Sequence, residues 1–135
     1  MAEPRLTVAR FVKAAARVEL ARSAGAHEPA VAGRMLVRLH QELAKVMGPA
    51  AFDVILARAL VLARRAHPVL AGVTAGPSGA ITGLDDATGD GVARQEGGMA
   101  IVTHFIEFLA TLLGEDLAMR LVGEIWRGAA EEEER

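Results

Sequence analysis

Three groupings of side chains in this chain have the types and spacing that chemistry uses. His104 and Glu107 lie three residues apart inside the apolar run Met99–Leu113, MAIVTHFIEFLATLL, so a helix places them on one face. An imidazole and a carboxylate at that spacing can share a metal ion. Dimetal sites in helical bundles need more, several glutamates and a second Glu–His pair from neighbouring helices. The chain does not supply these. A hydrogen-bonded or ionic pair is the better reading, with Arg58 as partner of Glu107 or His104, because an unpaired buried charge is costly. The second grouping, Asp86-Ala-Thr-Gly-Asp90-Gly91, resembles the first half of a calcium loop, but the bidentate carboxylate due at position 12 falls on Gly97. It reads as a polar turn.

The third grouping is the basic stripe Arg10, Lys13 and Arg17, one face of an amphipathic N-terminal segment. Such stripes bind lipid headgroups or phosphates. Glu3 and Glu19 dilute this one, and no aromatic residues are interleaved for base stacking. It reads as a solvated face. The nucleophile stock is thin, with two serines (Ser23 and Ser78), no cysteine and no tyrosine. Phosphate loops, dinucleotide fingerprints, zinc patterns and nucleophile elbows are absent. No catalytic residue, metal or cofactor is assigned. Trp126, the lone tryptophan, either caps the core or anchors a partner.

Helices must position these residues. Val8, Phe11, Val12, Ala15 and Val18 form a stripe that predicts a first helix from about Pro4–Thr7 to Arg22, ended by Ser-Ala-Gly-Ala. A second runs from Glu28 to Met47, with Val31, Met35, Leu39, Leu43 and Val46 inward and Arg34, Arg38, Gln41, Glu42 and Lys45 toward water. Gly48 and Pro49 mark its end and the start of a third, Pro49 to Ala66, which is apolar all round through Ala63 apart from Asp53 and Arg58. His67-Pro68 stops it. Residues 71–98 hold eight of the fourteen glycines, and GVTAGPSGAITGL reads as a small β-hairpin. A fourth helix begins between Gly91 and Gly98 and ends at Gly114. A fifth opens with Glu115 and Asp116, and Asp116 can pair with Arg120. The fourth and third helices should pack together, and the EEEER tail (131–135) should be disordered. Residues 1–130 read as one mainly α-helical domain, a compact bundle of about five helices.

Apolar residues make up 52% of the chain and aromatics 4%, so the core is aliphatic. Net charge is −2 but unevenly spread: eleven basic and five acidic residues through Arg65, then four basic and twelve acidic. Such a chain can pair its halves internally or with a neighbour. It lacks the basic footprint of a nucleic-acid binder. The N-terminus has no uninterrupted apolar segment like that of a secretory signal. The run Met99–Leu113 is short of the roughly 20 residues a membrane span needs. Lack of cysteine fits the cytoplasm.

Two blocks carry a resemblance. GPAAFDVILARALVLARRAHPVL resembles a block in uncharacterised small bacterial helical proteins that reads G-x-x-G-F-x-x-L-L-x-R-A-L-x-L-A, then P-x-L. IEFLATLLGEDLAMRLVGEIW resembles their closing block, in which G-E-x-L-x-x-R-L leads to a tryptophan. The likeness covers residues 48–126, and Ala51 stands where the pattern has glycine. It implies an architecture and no catalytic residues, and it draws attention to Arg58, Glu115 and Arg120. The expected function is a non-enzymatic, cytoplasmic protein–protein interaction or adaptor module that self-associates through its apolar helices. The alternative is a ligand-binding or metal-dependent enzyme with His104, Glu107, Arg58 and Arg120 around a buried polar site.

Overall fold

The computed structural model describes residues 4–22, 28–84 and 90–127. It is a mainly α-helical bundle of five helices: α1 (Pro4–Arg22), α2 (Glu28–Met47), α3 (Pro49–Ala66), α4 (Gly91–Leu113) and α5 (Glu115–Ile125). A two-stranded antiparallel hairpin, β1 (Thr74–Ala75) and β2 (Ile81–Thr82), lies between α3 and α4, pairing Thr74 with Thr82 and Ala75 with Ile81. The punctuation residues act as their chemistry requires. Gly48 alone joins α2 to α3 at a φ of 86°, a left-handed value open to glycine at little cost. His67, before Pro68, leaves the helical region at φ −131°, ψ 88° and ends α3. Asp90 caps α4, its carboxylate accepting from the Ala93 N–H at 2.7 Å. The tail 131–135, the 23–26 segment and most of the Asp86–Gly91 loop lie outside the described residues.

α4 is the centre of the molecule. It packs most extensively on α3 and also contacts α1, α2 and α5. Ile101, Val102, Phe105, Ile106 and Leu109 are fully buried. Phe105 meets Phe52 of α3 at 4.7 Å between ring centroids, and His40 of α2 stands edge-on to Phe52 at 4.9 Å. The helix is not buried on all sides, however: Thr103, His104, Glu107 and Phe108 are half-buried, and Thr111 and Leu112 are exposed. The periodicity of a helix of this length leaves one face beyond the reach of its four neighbours. It begins at Gly91 and so includes Gly97 and Gly98. A Cβ on Gly97 would lie 2.9 Å from Leu70, and one on Gly98 2.8 Å from the Ala32 methyl. The two glycines let the Pro68–Leu70 turn and α2 approach closely. By length and composition α4 could cross a membrane: its most apolar 18-residue window has a mean hydropathy of 1.3, and 39% of that window is buried in the bundle.

The hairpin is fastened at two points. Gly79, at φ 79°, lies so close to α2 that a Cβ would stand 2.6 Å from the Leu36 carbonyl oxygen. Arg64, in the last turn of α3, donates to the carbonyls of Leu70 and Val73. Val46 departs from its expected inward position and is exposed. It lines an open cleft of about 620 Å³ with Leu121 and Ile125, where none of the described side chains covers it.

Candidate functional site

The principal buried polar cluster among the described residues brings together three distant parts of the sequence. Glu19 follows Val8, Val12 and Ala15 at helical spacing, so it continues the inward stripe of α1, and only 1% of it is exposed. A carboxylate taken from water needs donors on both oxygens. Arg38 of α2 supplies two: Nε donates to Oε1 at 2.6 Å and Nη2 to Oε2 at 3.0 Å. Trp126, just past α5 and fully buried, donates its indole N–H to Oε1 at 3.1 Å. The Trp126 ring meets Phe11 edge-on, with centroids 6.3 Å apart. Nearby, Arg22 donates to the Ile125 carbonyl at 2.9 Å. α1, α2 and the end of α5 are thus tied at one carboxylate.

The fork-to-fork pairing has an electrostatic consequence. The hydrogen bond to Glu19 holds the Arg38 guanidinium above its ordinary pKa; burial opposes this, and the charges of Glu19 and Glu42 add to the rise. A cation whose pKa rises on folding contributes its full stability at every pH below its ordinary value. That contribution fades only as pH climbs through the raised value, far above physiological conditions. Arg38 remains 34% exposed in its side chain, at the edge of a cleft of about 390 Å³ lined also by Arg34, Gln41, Ala80 and Ile81.

These positions correct two expectations. Glu19 does not dilute a solvated basic face, because it points into the core. Arg38 does not simply face water, because its fork turns back onto Glu19. The helical register of Glu19 with Val8 and Val12 is the sequence signal that reveals the inward carboxylate. Trp126 takes the core-cap position of its two alternatives.

The expected cluster around His104 does not assemble as a buried site. His104 Nδ1 lies 3.2 Å from Glu107 Oε1, and both side chains are partly exposed on α4. Arg58 joins neither. It is exposed on α3, its guanidinium carbon 5.7 Å from the centre of the Phe108 ring. Phe108 directly follows Glu107 on α4 and so points about 100° round the helix from it, which puts the Arg58 guanidinium over the ring and not against the carboxylate. Arg120 is exposed on α5 and forms no ion pair with Asp116. Glu115 is half-buried at the α5 N-terminus. Arg10, Lys13 and Arg17 are all exposed; the latter two edge a groove of about 400 Å³ whose apolar wall includes Leu20, Val31 and Met99. Among the described residues, no three His, Asp or Glu side chains gather as a metal site would need.

The other candidate is an apolar face. The side of α3 opposite the core carries Ala50, Val54, Ala57 and Val61, all exposed, with Val54 at 63% and Val61 at 46%. Leu112 of α4, one turn beyond Phe108, is 66% exposed. Asp53 and Arg58 flank the stripe and are exposed as well. Compared with known proteins, the chain matches no family model, no curated protein and no solved structure.

Proposed function

We propose that this chain is a non-enzymatic, cytoplasmic interaction module that self-associates through its apolar helices and presents a helical surface to a larger protein partner. The observation that carries this reading is the exposed apolar face of α3. Its opposite face, Phe52, Leu56, Ala59, Leu60 and Ala63, is already committed to the core. Removing exposed valine surface from water is favourable, by roughly 25 cal/mol for each Å² buried. The uneven charge of the two sequence halves also suits association between copies. Sedimentation of the full chain at tens of micromolar should show a dimer or larger species. A monomer throughout that range overturns the reading.

A ligand-binding or metal-dependent reading around His104 and Glu107 has less support, since Arg58 and Arg120 do not converge on that pair. Stoichiometric metal in the purified protein would favour it over self-association.

A further inference from the structure

We infer that two copies of this chain pair through α3 in parallel, with Ala50, Val54, Ala57 and Val61 as the seam and Asp53 of each copy facing Arg58 of the other. This rests on the self-association reading and specifies its surface and geometry. The four seam residues recur at intervals of four, three and four, the spacing that keeps one side of a helix against a partner helix. Every one is exposed, although α3 is buried along its opposite side. In heptad terms Val54 and Val61 occupy the first core position and Ala50 and Ala57 the second. β-branched residues at the first position, with leucine at the second, favour two strands; here alanine takes the place of leucine. The alanines between them let the helix axes approach closely.

Charge decides the direction. Asp53 immediately precedes Val54 and Arg58 immediately follows Ala57, so helical geometry puts them on opposite flanks of the seam. A twofold axis running parallel to α3 sets each flank against the opposite flank of the other copy. Asp53 then faces Arg58 five residues further along the partner helix, and symmetry repeats the pair on the other side. An antiparallel pair sets each flank against its own kind. Arg58 and Arg65 would line one flank of both helices. On the other flank the only opposite charge in α3 for Asp53 would be Arg64, whose guanidinium is already given to the carbonyls of Leu70 and Val73. Among the described residues Arg58 forms no ion pair and lies over the face of Phe108, with its charged head exposed at the edge of the seam.

The test uses the full chain in sedimentation, with far-ultraviolet circular dichroism to confirm that each variant folds. Asp53→Arg and Arg58→Asp should each weaken the dimer about tenfold by replacing attraction with repulsion at both flanks. An equimolar mixture of the two single variants should restore dimerisation, because the mixed pair carries opposite charges on both flanks. Failure of the mixture to recover overturns the proposed pairing. The chain has no cysteine, so Ala50→Cys introduces its only thiol. Parallel pairing places the two introduced thiols together and predicts a disulfide-linked dimer on mild oxidation; its absence overturns the parallel register. A wild-type dimer unaffected by Val61→Asp overturns the α3 seam while leaving self-association standing. A monomeric wild type overturns both.

Discussion

The α1–α2–α5 end of the molecule and the outer side of α3 treat polarity in opposite ways. At the first, a carboxylate sits among apolar helices with donors from Arg38 and Trp126. At the second, valines stand in water while the nearby charges, Asp53 and Arg58, remain outside the core. The clasp meets its needs within one chain: once Glu19 has its partners, nothing further is required of a neighbour. The α3 face is covered by none of the described residues, and a second surface would remove its valines from water. The contrast separates residues that specify the fold from residues whose apolar surface the fold leaves exposed.

The sharpest way to break this comparison is to disturb the clasp. Arg38→Ala leaves Glu19 buried without its main partner and should cost about 3–5 kcal/mol in urea unfolding. Glu19→Ala should cost less, because the partly exposed Arg38 head can turn to water. Equal losses would show that the asymmetry of burial does not control the energetics. Replacing both together by apolar residues should recover much of the loss.

Trp126→Phe keeps the ring packing on Phe11 but removes the indole donor to Glu19. Hydrogen bonds to charged groups contribute about 1.5–3 kcal/mol, which sets the expected loss. The substitution should be non-additive with Arg38→Ala, since both act on one carboxylate. Additive losses would mean that the tryptophan contributes by packing alone.

The elements were legible because their signals are local. Pro49 and His67-Pro68 bound α3, the glycine-rich 71–84 segment holds the hairpin, and Gly114 separates α4 from α5. The clasp was less legible because it spans residues 19, 38 and 126, and nothing local tells Glu19 which donors will meet it. Its register with Val8 and Val12 shows only that it points inward. The largely apolar composition of α3 concealed a division between buried Leu56 and exposed Val54, which the arrangement of α2 and α4 decides. Val46 shows the same limit: its helical direction was readable, but the open cleft beside it was not.

A smaller effect is expected at His104 and Glu107. The pair is partly exposed and lies within one helix, so Glu107→Gln should change stability by no more than about 1 kcal/mol. A loss matching that of Arg38→Ala would make this pair a second clasp and erase its difference from the buried one.

The smallest effect on the single chain should come from Val61→Asp, even though it should have a large effect on association. Val61 is 46% exposed, and a carboxylate there can remain hydrated, so monomer stability should stay within about 0.5 kcal/mol of the parent. Comparing unfolding at concentrations below and above the dimer midpoint separates the two contributions, because only the dimer links stability to protein concentration. The parent should become harder to unfold as concentration rises, and the Val61→Asp variant should not. If the variant instead lost several kcal/mol at every concentration, Val61 would belong to the fold as Glu19 does, and the outer face of α3 would no longer stand apart from the clasp.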